Sequence, residues 1–399
     1  MSARALAGSA SRSGLAQRRF PGGFLALDFF GDADLVALSR RLPLRALSLS
    51  RDLGRPRTTA ALARAALGLG WQALAYSGGL ENRPGLLRRL ERHGRVLGNG
   101  SRVVGRVRDP ETFFGFLRRA GIPHARTWTG LGSAAPWSGR PCLWKGIRSG
   151  GGVRVRAARP RDRRPRGFYL QEFLAGTPGS AAFVADGTHA VLLGVTEQMS
   201  GWRELGGRGF RYGGNIAGPP GRLFPRRAVA VLGKAVAAIT RRFRLRGLNG
   251  VDFILADGLP HVIEINPRYT ASMELLEELS GLNFFDLHLA AVLEGSLPAR
   301  TPALPAARFM AKGILYAERG VRCAAPEPLA RLGCRDLPVA GEAIEAGHPI
   351  CTVIAAGRSR AGCRRLLVAR AAQVRRLLRA AHVRRLLRAG SGPGRARSW

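Results

Sequence analysis

Asp252, Glu264 and Asn266 lie on two apolar runs joined by Ala256-Asp257-Gly258-Leu259-Pro260. Asp-Gly is a strong turn signal, so residues 251–266 are predicted to form a β-hairpin. Centring it on Gly258 sets Asp252 opposite Glu264, Ile254 opposite Val262 and Gly250 opposite Asn266. Alternation puts Val251, Phe253, Leu255, Ile263 and Ile265 on the other, buried face. Two carboxylates then face each other at roughly 5 Å between Cβ atoms, which destabilises a hairpin unless a cation lies between them. Asn266 adds a neutral oxygen on the same face, and Gly250 opposite it leaves room for a ligand. Oxygen donors alone suit Mg2+ or Mn2+, whose shell is completed by water and phosphate oxygens.

A second element is Leu143-Trp144-Lys145 followed by Ser149, Gly150, Gly151 and Gly152. Glycines let a backbone approach phosphates and aim N–H groups at them, and a lysine adds a point charge. The G-x-x-x-x-G-K-[ST] order is absent, so this is not a Walker A loop. A third element, residues 168–176, is an apolar strand carrying Gln171 and Glu172. Its backbone at Glu172 and Leu174 is placed to read an adenine edge.

These elements need a scaffold. Residues 24–30, 46–49, 71–76 and 95–98 read as strands alternating with helices at 35–41, 59–67 and 84–93, an N-terminal parallel α/β domain over 21–105. No G-x-G-x-x-G occurs there. Asp109 is predicted to cap a helix from Pro110 that Gly121-Ile122-Pro123 ends. Strands follow over 180–197, then a glycine-rich stretch, 201–221, read as a mobile loop. Residues 225–243 read as a helix, and 272–279 as another after the hairpin. Residues 301–370 read as a small C-terminal β-rich unit. The fold class is therefore α/β and α+β, multidomain.

The net charge is +38, yet 61 of the 64 basic residues are arginine. Near-complete replacement of lysine reads as a coding bias, so no specific nucleic acid is expected. Against that background Lys145 stands out. Five cysteines without a C-x-x-C pair give neither a zinc site nor a disulfide framework, and a cytoplasmic, reducing location is expected. No eighteen-residue apolar run exists, so no transmembrane segment is expected. Residues 1–20 are read as a disordered tail and 371–399 as an arginine-rich tail. The tail repeats QVRRLLRAA as HVRRLLRAG. A helix there has a basic and a leucine-rich face, and we read it as a duplication under the same bias.

In this order the three elements resemble the ATP-grasp superfamily over residues 24–300, and look closest to its ATP-dependent carboligase branch related to biotin carboxylase. Glu264-Ile265-Asn266-Pro267-Arg268 is the most specific match. The resemblance implies an ATP-grasp domain over 106–300 with a lid at about 139–178, and ATP with Mg2+ as cofactors. It assigns metal binding to Asp252, Glu264 and Asn266, and nucleotide binding to Lys145, Ser149, Gly150, Gly151, Gly152, Gln171, Glu172, Leu174 and Gln198. Arg268 and Lys145 are the expected catalytic groups, with Arg268 on the phosphate or acyl phosphate. Tyr212 and Asn215 are expected substrate contacts. A basic residue near the first helix of the domain falls to Arg106 or Arg108. After the hinge stand Thr177, Pro178, Gly179 and Ser180, where the family often has an acid or histidine for the ribose.

The implied reaction joins a small-molecule carboxylate to an amine or thiol through an acyl phosphate, releasing ADP and phosphate. Coenzyme assembly for one-carbon metabolism is the setting that the resemblance suggests, and a homodimer is compatible with it. Two rivals stand beside it. One is a carboxylase using bicarbonate, although no biotin-acceptor sequence is present. The other is a non-catalytic basic protein binding polyanions or membranes.

Overall fold

The computed structural model describes residues 3–130, 140–159, 162–219 and 221–390, with side chains through residue 379. Parts of four expected segments therefore lie outside the described residues: the first two residues, 139, 160 and 161 of the lid, 220 of the glycine-rich stretch, and 391–399 of the tail.

The chain opens with α1 (Ala3–Ser11) and α2 (Gly14–Arg19), where a disordered tail was expected. Ala5, Ala7, Ala10 and Ala16 are buried, Ser13 accepts from the Ala16 N–H at 2.9 Å, and Arg4 pairs with Asp34 at 3.2 Å. The small residues are what let these helices pack closely.

Next come β1 (Phe24–Asp28), α3 (Ala33–Ser39), β2 (Leu44–Ser48), α4 (Thr59–Leu67), β3 (Ala73–Leu74), α5 (Pro84–Glu91) and β4 (Arg95–Val96). The alternation is the expected one, but the strands pair as two short parallel ribbons, β1–β2 and β3–β4. Then follow α6 (Ser101–Val107) and α7 (Pro110–Arg119). Asp109 Oδ1 accepts from the Thr112 N–H at 2.9 Å, the predicted cap.

A four-stranded antiparallel sheet is built from β5 (Thr127–Trp128), β6 (Cys142–Gly146), β7 (Val155–Ala158) and β8 (Phe168–Glu172) in the order β5-β8-β6-β7. Below it lies a seven-stranded antiparallel sheet. Its members are β9 (Thr177–Asp186), β10 (Ala190–Ser200), β11 (Tyr212–Ala217), β12 (Arg246–Ala256), β13 (Leu259–Asn266), β14 (Phe309–Tyr316) and β17 (Pro349–Gly357), ordered β13-β12-β9-β10-β11-β14-β17. Both faces of this sheet are covered. On β9, Ala181, Phe183 and Ala185 join one core with Phe113, Val236 and Phe253, while Ala182 and Val184 join another with Met273 and Leu276. The first core is closed by α8 (Arg226–Phe243), which buries Ala228, Leu232, Ala235, Val236, Ile239 and Phe243 on one stripe. The second includes α9 (Met273–Ser280) and α10 (Phe284–Leu289).

Two expectations change here. The glycine-rich 201–221 stretch is not simply a loop. It contains β11, hydrogen-bonded to β10 on one side and β14 on the other, neighbours that its composition does not announce. The C-terminal β-rich unit is not free-standing either. β14 and β17 are the last two strands of the large sheet, beside a ribbon of β15 (Val321–Arg322) and β16 (Ala343–Ile344) and the short α11 (Glu327–Arg331). The final helix, α12 (Arg360–Gly390), buries Cys363, Leu367, Ala371, Val374 and Leu378. The near-repeat thus begins inside a packed helix.

Candidate active site

β12 and β13 pair with Asp252 opposite Glu264, Val251 opposite Ile265 and Gly250 opposite Asn266, as the hairpin register predicts. Nearer the turn the register shifts by one: Phe253 faces Val262 and Ile254 faces His261. The turn is the two-residue Asp257-Gly258, with φ of 49° and 75°, and the spare residue is Ile263. The bulge buries Val262 in place of Ile263. It also frees the Ile263 carbonyl, which accepts from Lys145 Nζ at 3.2 Å. The room left by Gly250 goes to Thr270, not to a ligand: a Cβ there would lie 2.7 Å from Thr270 Cγ2.

A cavity of about 360 Å³ runs between the two sheets. Asp252, Glu264, Lys145, Ser149, Gly150, Gly151, Gly152, Gln171, Glu172, Leu174, Gln198 and Tyr212 all line it. Phe113, Phe114 and Tyr169 supply an apolar wall. Lys145 is buried and held by Gln171 Oε1 at 3.0 Å; Gln171 in turn donates to Thr127 Oγ1 at 3.0 Å. The Leu174 N–H has no protein partner among the described residues, and the Glu172 carboxylate is turned to Arg140 at 2.7 Å.

Asn266 donates to Asp252 Oδ2 at 3.1 Å and stands behind the two carboxylates. Arg108, not Arg106, is the basic residue at the site. It donates to Glu264 Oε1 at 2.6 Å, to the Ile265 carbonyl at 2.9 Å and to the Ser149 carbonyl at 3.0 Å. Arg106 instead lies over the Phe243 ring. Burial and the facing Glu264 charge push the Asp252 carboxyl up to about 6. Burial acts on Glu264 in the same sense, but Arg108 and Lys145 outweigh it and hold that carboxyl low.

Asn215 is not in the cavity wall. It is fully buried in the sheet, donating to Thr196 Oγ1 at 2.9 Å and accepting from the Tyr212 hydroxyl. It fixes Tyr212 from behind. Glu197 also turns away from the nucleotide side, meeting Arg360 of α12 at 2.6 Å.

Sequence reasoning missed Glu81 and Asn82. They sit on one 3-10 turn, Leu80–Asn82, of the N-terminal unit. Glu81 accepts from Arg268 Nε at 2.7 Å, and Asn82 accepts from Arg108 Nη2 at 2.8 Å. One short turn thus grips both arginines that flank the carboxylate pair. The signal was available: an acid and an amide directly before a proline-initiated helix, between the strand read at 71–76 and the helix read at 84–93.

Comparison with known proteins bears on the family and the fold. The ATP-grasp domain family matches residues 123–272. An uncharacterized protein of Methanocaldococcus jannaschii is 30% identical over 148 residues, 36% of this chain. The match spans only 33% of that relative's length. Among solved structures, the biotin carboxylase domain dimer of Hydrogenobacter thermophilus 2-oxoglutarate carboxylase, in complex with MgADP, ADP and bicarbonate, superposes with a TM-score of 0.63 at 16% identity, over 88% of this chain and 84% of that one. N5-carboxyaminoimidazole ribonucleotide synthetase from Thermus thermophilus gives 0.60 at 19% identity, over 92% and 96%. At these identities the likeness is one of fold. Residues 123–272 therefore match an ATP-grasp domain, and the chain shares the fold of biotin carboxylase domains.

Proposed function

We propose that this protein is an ATP-dependent ligase that activates a small carboxylate as its acyl phosphate and passes it to an amine or thiol. The observation that carries this reading is the facing pair Asp252 and Glu264 on one wall of a cavity whose opposite wall carries Lys145 and the 149–152 glycine loop.

Magnesium fits the donor set. Two carboxylates face each other, one of them pushed up to about 6 by burial and by its neighbour. Asn266, expected as a third donor, is turned otherwise: its Nδ2 donates to Asp252 Oδ2 at 3.1 Å and its Oδ1 accepts from Arg268 Nη2 at 3.2 Å. Among the described residues no group of three or more His, Cys, Asp or Glu forms a cage. A site of two acids suits an ion whose remaining positions are taken by phosphate oxygens and water. When bound there, the ion neutralises phosphate charge. The chain's own residues do the rest. Lys145 and the loop N–H groups hold the phosphates, and Leu174 offers its N–H to the base. Arg268, fixed by Glu81, meets charge developing on the transferred phosphoryl group. A substrate carboxylate oxygen attacks the γ-phosphorus, whose bond to the bridging oxygen breaks, and ADP leaves. The nucleophile's lone pair then attacks the acyl carbon, its proton passes to a base, and phosphate departs. The apolar wall of Phe113, Phe114 and Tyr169 limits water at the intermediate.

A second reading takes bicarbonate as the activated carboxylate. The bicarbonate complex of the Hydrogenobacter carboxylase domain favours it. The test is ADP release with panels of acids and amines, with labelled bicarbonate as a separate arm. Glu264→Gln and Lys145→Ala are each expected to lower ADP formation by about 10²-fold or more, the usual cost of removing a group that stabilises charge in the transition state. Full turnover in both variants would sink the reading, and incorporation of label would move it to the carboxylase.

A further inference from the structure

Beyond the nucleotide cavity lies a second and larger hollow of about 890 Å³. Its walls come from the lid loop at Gly152 and Val153, from the 203–211 stretch between β10 and β11, and from the turns at 317–318 and 346–347 beside β14 and β17. The two hollows share Gly152, Val155, Gly209 and Phe210. They meet, therefore, at the glycine loop where the ligase reading seats the terminal phosphates. Gly152 is required at this junction: its φ is +71°, and a Cβ would lie 1.8 Å from the Phe210 carbonyl oxygen.

The charge on this hollow is lopsided. Arg203, Arg208 and Arg211 line it against one acid, Glu318. Glu318 is already paired with Arg375 at 2.8 Å. Arg211 is pinned in place, donating to the Gly347 carbonyl with its guanidinium 4.9 Å from the centre of the Tyr316 ring. Arg203 and Arg208 make no ion pair among the described residues, whereas Arg4, Arg108, Arg268, Arg335 and Arg360 all end on carboxylates. An arginine bias explains why guanidinium groups are numerous. It also explains why many others, such as Arg40 and Arg88, lack an ion pair among the described residues; what sets Arg203, Arg208 and Arg211 apart is that they line one concave space that opens onto the phosphate loop. Guanidinium groups match carboxylate and phosphate oxygens geometrically, and glycine walls leave the space between them open.

We propose that this hollow, lined by Arg203, Arg208 and Arg211, binds the non-nucleotide substrate through an anionic group of its own, a carboxylate or phosphate distinct from the carboxylate that reacts. The inference rests on the ligase reading for the word substrate, but the anion site stands on its own geometry. It commits the unknown acceptor or donor to a small polyanion whose reacting end reaches the phosphates at Gly152 while its other end meets the arginines.

The test uses the full chain with magnesium and a non-hydrolysable ATP analogue, so that the nucleotide cavity is filled. Citrate and glycerol 3-phosphate are titrated separately at constant ionic strength by calorimetry. One of them is expected to bind, and which one names the anion class. The double variant Arg203→Ala/Arg208→Ala should weaken that binding about tenfold or more, equivalent to about 1.4 kcal/mol, and leave affinity for the ATP analogue unchanged. A control pair on the exposed end of α7, Arg118→Ala/Arg119→Ala, should leave anion binding as in the parent protein. The proposal is overturned if neither anion binds, if the double variant binds as the parent does, or if the control pair loses as much. Failure of the ATP analogue to bind strikes the ligase reading alone, because the anion titration can be read without nucleotide.

Discussion

Two charge clusters built on carboxylates divide the labour in this molecule. In the hairpin, Asp252 faces Glu264, and Arg108 serves Glu264 at 2.6 Å. Asp252 has the Asn266 amide at 3.1 Å and no ion pair among the described residues, and its carboxyl is pushed up to about 6. In the second cluster one acid, Glu274 on α9, meets three cations: Lys312 at 2.7 Å, Arg335 at 2.8 Å, and Arg4 of α1. Burial alone would raise the Glu274 carboxyl, but those cations hold it well below its ordinary range. Residue type is similar, but Glu274 is buried while Asp252 and Glu264 are only partly so. The first cluster is short of positive charge on the side that faces a cavity, and the second is saturated and sealed. A deficit turned toward open space is what a ligand cation corrects, while saturation ties elements together.

The largest effect that separates the two is on stability. Glu274→Gln leaves Lys312, Arg335 and Arg4 without their shared counter-charge, so it should cost about 3–5 kcal/mol in urea unfolding. Asp252→Asn removes a like-charge contact and should leave stability unchanged or raised, while abolishing the rise in melting temperature that magnesium gives the parent protein at pH 7. If both variants destabilise equally, the contrast is false.

The pH dependence sharpens the same point. Glu274 has a depressed folded pKa, so it contributes stability above its unfolded value of 4.5. That contribution is lost as pH falls below that value toward the folded one. Unfolding free energy of the parent protein should therefore drop steeply below about pH 4.5. Glu274→Gln should show a shallower drop, and equal slopes would remove Glu274 as the source.

A smaller effect concerns the grip on Arg268. Glu81→Ala frees the Arg268 guanidinium and should lower kcat for ADP formation by up to about 10²-fold, since misplacing a group by about 1 Å can cost that much. Its effect on nucleotide KM should be slight. Glu81→Gln keeps an acceptor for Arg268 Nε and should recover part of the rate. A merely structural Glu81 would instead lower the melting temperature without this split between kcat and KM.

How far the sequence revealed this site depends on the range of the interactions. The pairing of Asp252 with Glu264 was read from a local turn and strict alternation, and the pairing survives in the structure although a bulge breaks the alternation between it and the turn. The bulge at Ile263 does not follow, because it compensates for a two-residue turn only once Lys145 and the lid sheet claim the freed carbonyl. Choosing Arg108 over Arg106 needed tertiary contacts: Arg108, just past α6, reaches Glu264, while Arg106 lies over the Phe243 ring of α8. Glu81 and Asn82 reach Arg268 and Arg108 across 187 and 26 positions of sequence, and no local pattern encodes such contacts. The N-terminal helices were misread for a related reason. Alanine, glycine and serine carry little pattern of their own, and their burial depends on α10, Asp34 and Glu274 far along the chain.

The smallest predicted effect concerns the arginine-rich end. Its composition invites a polyanion- or membrane-binding role, and cutting the chain at 371 looks like the natural test. The structure argues for a different cut. Ala371, Val374 and Leu378 pack in the core that also holds Leu205, Ile216 and Val353, so removing residues 371–399 takes buried apolar side chains with it. Each buried valine or leucine is worth about 1.5–3 kcal/mol, enough to confuse lost folding with lost function. Ending the chain after Arg379 keeps those contacts and removes the second copy of the repeat. ADP formation and melting temperature should then stay within about twofold and about 2 °C of the full chain, as expected for changes that leave the core intact. A large loss of ADP formation in that shortened chain, with its melting temperature intact, would give the end of α12 a part in the reaction.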